Sequence, residues 1–242
     1  MFTLEESLAA LAVAVVSSLV QSSFGIGGAV IAAPLLYLVN PIFAPVPILV
    51  SNVAISALAG RREWEHVQRA DLGAMLTGRL VGTFLAAWFV IEFSGAYFDI
   101  VFGLMVLGAV LLLFVGLQIA ITPGTLGASG VVSGFMGTIS SIGGPPIALV
   151  YRGAPVRQFR ATMSMQLCIG GALSAVGFAL ASGVTRELVY ATLLLLPGSL
   201  LGYHASGYNL ARVNQRVLNL AVLLISGGAG LVVIVRALVA GA

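Results

Sequence analysis

Long stretches of this chain contain no charged residue. Residues 7–60 carry no charged side chain, and neither do residues 100–151. Both stretches are apolar on all sides, as membrane-spanning helices are, whereas the strands of a transmembrane barrel alternate polar and apolar residues. The pattern therefore predicts an all-α polytopic membrane protein.

Division of the sequence at glycines, prolines and charge clusters predicts eight hydrophobic units. They cover residues 7–39, 44–60, 71–93, 96–117, 125–151, 158–182, 186–208 and 215–239. The first unit is too long for one span, because its 33 residues would extend about 50 Å as a helix against a hydrocarbon core of about 30 Å. We expect it to be interrupted at Phe24–Gly28, and the fifth unit to be interrupted at Ser140–Pro146.

Two sequence features recur at nearly the same distance along the chain. The triplet Ile-Gly-Gly at 26–28 returns at 142–144, an offset of 116 residues. The pattern Gly-x-x-x-Gly at 78–82 returns at 198–202, an offset of 120 residues. Gly-x-x-x-Gly alone usually marks close helix packing, so the paired glycine interruptions carry more weight. Together the two features predict an internal repeat.

The distribution of arginines decides between two topologies. If all eight units crossed the membrane, each side would receive five arginines. If unit 125–151 is instead a re-entrant hairpin, eight arginines share one side and two the other, as the positive-inside rule favours. The eight include Arg61, Arg152 and Arg212, so we expect their loops to lie in the cytoplasm.

The internal repeat implies that unit 7–39 is a re-entrant hairpin as well. Residues 1–120 and 121–242 then form two halves, each with one hairpin and three transmembrane helices. Because each half crosses the membrane three times, the halves are inverted relative to one another. Inverted repeats with broken helices that meet at the membrane midplane are the architecture of secondary transporters.

Composition excludes several other classes of protein. The chain has 242 residues, of which 60% are hydrophobic and 8% charged, and its mean hydropathy is +1.11. A soluble domain carries about 25% charged residues. The net charge of +3 comes from arginines without lysines, and we expect these to act as topology signals rather than to bind nucleic acid.

Enzymatic motifs are also missing from the sequence. It contains no paired aspartates, no H-E-x-x-H and no Walker A motif. The single cysteine, Cys168, lies in an apolar run and is typical of a small buried hydrophobic residue. We therefore expect no catalytic residue, no metal site and no cofactor.

The two predicted hairpin tips are the first candidate binding residues. Glycines let the backbone approach a ligand closely, and the helix after each tip, expected to begin at Ala29 or Pro145, directs free N–H groups and a positive dipole end at the cavity. Hydroxyl and amide side chains beside the tips can bind an oxyanion. The candidates are Gln21, Ser22, Ser23, Gly25, Gly27 and Gly28 at the first tip, and Thr138, Ser140, Ser141, Gly143 and Gly144 at the second. The alternative is that these small residues only permit tight helix packing.

Polar residues within the predicted spans form the second group of candidates. Asn52, next to Ser51, and Gln166 lie about eight residues into units that run in opposite directions, which places them near the midplane. They could bind substrate or make ordinary interhelical hydrogen bonds. Arg79 is the only formal charge deep within a span, and it could bind an anion or extend to the cytoplasmic surface.

The glycine motif and its repetition resemble one known family. The pattern S-x-x-x-Q-S-S-F-G-I-G-G-A-V-I-A-A-P-L-L at Ser17–Leu36 returns as S-G-F-M-G-T-I-S-S-I-G-G-P-P-I at Ser133–Ile147. This arrangement, with the loop R-R-E-W at Arg61–Trp64, resembles the TauE/SafE family of sulfite and organosulfonate exporters over essentially the whole chain. The second copy departs from the pattern, because Ser141 stands where the first copy has Gly25 and two prolines follow the second tip.

The resemblance implies a permease of the bacterial inner membrane for small sulfur-containing anions such as sulfite, sulfoacetate or taurine-related sulfonates. The expected protein is then a secondary transporter that works by alternating access, with the lipid bilayer and a small anionic solute as its partners. Two other functions stay open at this point. One is a passive anion channel, and the other is a membrane scaffold without transport.

Overall fold

The computed structural model describes residues 2–93, 95–115, 119–206 and 215–240, apart from the side chains of residues 215–219, 221 and 240. Within these ranges the chain forms ten α-helices and two short 3-10 turns, and no β-strand. Seven of the described helices are long and apolar enough to cross a membrane. The prediction of an all-α polytopic membrane protein is therefore confirmed.

Ten helices follow one another along the chain. The first five are α1 (Leu4–Phe24), α2 (Gly28–Val39), α3 (Val46–Arg62), α4 (Arg69–Glu92) and α5 (Ala96–Phe114). The next five are α6 (Pro123–Ser140), α7 (Gly144–Tyr151), α8 (Val156–Ser182), α9 (Arg186–Ala205) and α10 (Gln215–Ala240). The six predicted spans coincide with α3, α4, α5, α8, α9 and α10, although the predicted ends at 116–117 and 207–208 lie outside the described residues.

Both predicted helix interruptions are present. The chain leaves helical geometry after Phe24 and after Ser140, and it re-enters a helix at Gly28 and at Gly144. α2 and α7 each begin one residue earlier than predicted, at a glycine rather than at Ala29 and Pro145. Gly25 and Gly27 of the first break have left-handed backbones, with φ of 78° and 101°, which explains why glycine stands there.

Each interrupted pair of helices returns to the end of the bundle where it began. Asn40, directly after α2, donates its side-chain amide to Glu6 in the first turn of α1 over 3.1 Å. Arg152, directly after α7, donates to the carbonyl oxygens of Leu113 and Val115 at the end of α5, over 3.2 Å in both cases. The chain therefore enters α1 and leaves α2 at one level. Ile119–Ile121, just before α6, line one cavity with Arg152, so the chain also enters α6 and leaves α7 at one level.

Two of the loops that were predicted to share one side lie together. Glu63 follows α3 and forms an ion pair with Arg160 in the first turns of α8, at 3.2 Å. Arg160 in turn lines a cavity together with Arg152. The loop after Arg61 and the loop after α7 are therefore at the same end of the bundle, while Arg212 lies outside the described residues.

Helices from the first five pair with helices from the second five. α1 packs against α9 and α4 packs against α6, while α3 lies against α8 and α5 against α10. The α4–α6 contact brings backbone against backbone: a Cβ on Gly78 would lie 1.9 Å from the carbonyl oxygen of Gly127, and one on Gly82 would lie 2.0 Å from that of Val131. Gly202 of α9 meets the carbonyl oxygen of Val15 in α1 in the same way, at 2.2 Å.

A pair of substitutions in α4 tests this close packing. Gly82→Ala forces α4 and α6 apart and is expected to lower the free energy of unfolding by about 1–3 kcal/mol. Gly73→Ala in the same helix meets no atom within 4 Å and is expected to leave stability unchanged or to raise it by up to about 1 kcal/mol. The measurement is thermal unfolding of the purified protein in detergent. Equal stability of the two variants would contradict the close contact.

Candidate functional site

The two helix breaks face one small cavity. Residues from both breaks line it, together with one residue each from α3 and α8. The lining includes Gln21, Ile26, Gly27, Asn52, Ser141 and Gly144. The cavity measures about 10 Å³, about the space that one water molecule needs. Five of the predicted site residues thus lie together: Gln21 and Gly27 from the first break, Asn52 from α3, and Ser141 and Gly144 from the second break.

Gln21 holds the first break in shape. Its side-chain amide donates to the carbonyl oxygen of Gly25 over 3.3 Å, and its side-chain oxygen accepts the N–H of Gly28 over 3.1 Å. A Cβ on Gly28 would lie 2.4 Å from the carbonyl oxygen of Ser17 and 2.6 Å from Cβ of Gln21. Both ends of the Gln21 side chain therefore bind the backbone of the break, and only glycine fits at position 28.

The first turn of α2 offers hydrogen-bond donors to the cavity. Ala29 and Val30 both line it, and the N–H groups in the first turn of a helix have no acceptor within that helix. The positive end of the α2 dipole lies at the same place. This wall of the cavity is therefore suited to an anion.

The second break differs chemically from the first. α7 begins Gly144-Pro145-Pro146, and a proline has no N–H to donate. Ser141 takes the left-handed backbone at φ 65° that Gly25 has in the first break, and its hydroxyl donates to the carbonyl oxygen of Pro45 over 2.9 Å. The first turn of α7 therefore presents fewer donors than the first turn of α2.

Arg79 lies behind the second break and does not line the cavity. Its side chain is 1% exposed, so the alternative that it extends to the surface is wrong. The guanidinium donates to Ser133 over 3.0 Å and to Ser174 over 3.1 Å. A Cβ on Gly143 would lie 2.7 Å from Nη1, and one on Gly170 would lie 2.4 Å from Nε. Glycines in the break and in α8 therefore leave the room that this side chain occupies.

Ser133 connects Arg79 to the backbone of the second break. Its buried hydroxyl accepts from Arg79 and, over 3.2 Å, from the side-chain amide of Gln166, and it donates to the carbonyl oxygen of Gly143. Gln166 and Gly143 are thus joined to Arg79 as parts of one buried network. Sequence reasoning did not select Ser133 or Ser174, although Ser133 opens the second copy of the repeated motif at the place of Ser17.

The remaining predicted hydroxyls lie away from the cavity wall. Three donate to the carbonyl oxygen four residues earlier in their own helix: Ser23 to Leu19, Thr138 to Gly134 and Ser140 to Met136. Ser22 and Ser51 have buried hydroxyl oxygens without a hydrogen-bond partner among the described residues.

Gly25 faces Arg160, whose Cγ would lie 3.5 Å from an added Cβ.

A larger cavity, here called the vestibule, lies next to the small one. Its volume is about 370 Å³, and its wall contains the side chains of Arg152 and Arg160 among mainly apolar residues. Ile26 and Pro145 line both the vestibule and the small cavity. The two spaces therefore adjoin at these two residues, one at each break.

Comparison with known proteins adds a family relationship. The family model described as "Sulfite exporter TauE/SafE" matches residues 10–233 of the chain. No curated protein and no solved structure matches it.

Two serine substitutions test the buried network. Ser133→Ala removes a hydroxyl that serves Arg79, Gln166 and Gly143 at once, and it is expected to destabilise the protein by about 2–4 kcal/mol. Ser174→Ala removes one partner of Arg79 and should cost only about 1–2 kcal/mol. Thermal unfolding of both purified variants measures the difference. A smaller effect of Ser133→Ala than of Ser174→Ala would contradict the central position of Ser133.

Proposed function

The chain belongs to the TauE/SafE sulfite exporter family, and from this premise we propose that it is a secondary transporter for small sulfur-containing anions such as sulfite or organosulfonates. One observation carries the proposal: two helix breaks from distant parts of the chain face the same small cavity. Broken helices that meet around a cavity are the usual substrate site of secondary transporters.

The substrate oxyanion binds, in this proposal, between the first turn of α2 and the second break. The N–H groups of Ala29 and Val30 and the side-chain amide of Asn52 act as donors to it. None of the residues that line the cavity is an aspartate or a glutamate, so no negative charge in the wall opposes an anion.

Access to the site alternates between the two sides of the membrane. The cavity of about 10 Å³ is far too small for a sulfonate, whereas the vestibule of about 370 Å³ has room for one. An anion in the vestibule therefore reaches the breaks only when Ile26 and Pro145 separate. Movement of the helix breaks, with rocking of one half of the chain against the other, closes the vestibule and opens the opposite side.

The two halves in this mechanism are inverted repeats at residues 1–120 and 121–242. Two observations support this proposal. Each interrupted pair, α1–α2 and α6–α7, returns to its starting level, and the pairing of α1 with α9 is matched by that of α4 with α6. In the proposed repeat α1 corresponds to α6 and α9 corresponds to α4, so the α1–α9 contact of one arrangement is the α6–α4 contact of the other.

The vestibule opens to the cytoplasm of a bacterial cell in this proposal. Arg152 and Arg160 line it, and the loop that follows Arg61 lies at the same end. Arginine-rich loops remain on the cytoplasmic side of an inner membrane. The vestibule is then loaded from the cytoplasm, as an exporter requires, and its arginines attract anions.

Uptake of radiolabelled sulfite into proteoliposomes tests the proposed function, with sulfate, sulfoacetate and taurine as competitors. We expect saturable uptake that is accelerated when unlabelled sulfite is present on the opposite side. Saturable uptake without this acceleration would identify a passive anion channel. No uptake above that of empty liposomes, by protein shown to be folded, would contradict transport of sulfite. The remaining hypothesis would then be a membrane scaffold without transport.

Two glycine substitutions test the role of the first turn of α2 in transport. Gly28→Ala places a methyl group against Ser17 and Gln21 and disturbs the first turn of α2. We therefore expect sulfite uptake to fall about 10-fold or more, which corresponds to a free-energy difference above about 1.4 kcal/mol. Gly73→Ala meets no atom within 4 Å and lies outside the described lining of the cavity, so it should retain most of the uptake. Similar activity of both variants would argue against a binding role for the α2 turn.

Ile26 is expected to control passage from the vestibule to the site. Ile26→Ala shortens the side chain that separates the two spaces and should raise the rate of sulfite exchange. Ile26→Trp fills the passage and should abolish exchange while the protein still inserts in the membrane. Initial rates in proteoliposomes, normalised to the inserted protein, provide the measurement. Unchanged rates in both variants would exclude this route.

A further inference from the structure

Arg79 is a buried positive charge without a negative partner. It is the only charged residue among the buried polar residues of the described chain. All eight aspartates and glutamates lie within the described ranges. Among the described side chains, ion pairs within 4.0 Å involve only Glu63 with Arg62 and Arg160. A buried charge without a partner strongly destabilises a protein, and a charge inside a membrane segment generally serves function.

Neutral groups satisfy only part of the guanidinium. It makes two hydrogen bonds to side chains, both to serine hydroxyls, and an arginine has five N–H donors. Nε has no hydrogen-bond partner among the described residues, and neither has the side-chain oxygen of the nearby Gln166. The network therefore holds the guanidinium in place but does not balance its charge.

The guanidinium lies directly behind the wall of the small cavity. Nη1 would be 2.7 Å from a Cβ on Gly143, and the next residue, Gly144, lines the cavity. This is also the wall where Pro145 and Pro146 remove N–H donors from the first turn of α7. A charge needs no direct contact to act here, because Coulomb attraction in a low-dielectric interior extends over several ångströms.

We propose that Arg79 sets the charge selectivity of the site, so that the transporter takes singly charged oxyanions and discriminates against doubly charged ones. One guanidinium balances one negative charge, as on hydrogen sulfite or on a simple alkanesulfonate such as methanesulfonate. A dianion such as sulfate would keep one unbalanced negative charge in the interior, which is unfavourable. The inference rests on the proposed function and adds the charge of the substrate to it.

Competition in proteoliposomes tests this selectivity. Radiolabelled sulfite is the transported probe, methanesulfonate is the singly charged competitor and sulfate is the doubly charged competitor. For the wild-type protein we expect half-inhibition by methanesulfonate at a concentration about 10-fold or more below that for sulfate, which corresponds to a modest electrostatic difference. Sulfite uptake should also be faster below neutral pH, where hydrogen sulfite predominates.

Three variants connect the preference to Arg79. Arg79→Lys keeps the positive charge and should keep the preference for methanesulfonate. Arg79→Gln removes the charge. The half-inhibitory concentration of sulfate, divided by that of methanesulfonate, should then fall about 10-fold, toward equality. Ser174→Ala removes a hydrogen-bond partner but no charge, so it should lower stability without altering the ratio.

The outcomes separate this inference from the proposed function. Equal inhibition by sulfate and methanesulfonate in the wild-type protein would overturn the inference, whether or not the variants fold. An unchanged ratio in a transporting Arg79→Gln variant would overturn it as well. Absence of saturable sulfite uptake by the wild-type protein would contradict the proposed function itself, and the inference would fail with it.

Discussion

A helix that is interrupted inside a membrane exposes backbone N–H and C=O groups that lipid cannot satisfy, and the rest of this structure depends on how the protein pairs them. At the first break, Gln21 reaches across to bond Gly25 and Gly28. At the second, Ser133 bonds the carbonyl oxygen of Gly143, while the hydroxyl of Ser141 bonds Pro45.

The same constraint explains why glycine is concentrated where it is. Buried polar side chains reach the breaks only if neighbouring helices come very close, and the α4–α6 contact achieves this by placing Gly78 and Gly82 against backbone carbonyls. Close contact also encloses Arg79 among Gly143 and Gly170. Packing, break geometry and the position of a buried charge are therefore parts of one arrangement, and a Cβ added at any of these glycines disturbs more than local packing.

The sequence predicts the helices better than it predicts the contacts of the site. Six of the long helices and both breaks follow from hydropathy and glycine position, because membrane thickness fixes helix length. The tertiary contacts are less accessible: Ser140 and Thr138 bond within their own helix, since a serine or threonine can always reach the carbonyl four residues earlier. Arg79 was selected for its depth, but its position behind the cavity wall and its bond to Ser133 depend on how α4, α6 and α8 pack.

The central claim is that an anion binds between the two breaks. A cryo-electron microscopy structure of the protein in lipid nanodiscs, determined with and without sulfite, tests it most directly. We expect additional density in the sulfite-bound structure between the first turn of α2 and Ile142–Gly144, with Ile26 and Pro145 moved apart. Density confined to the vestibule beside Arg152 and Arg160, with unchanged breaks, would contradict it.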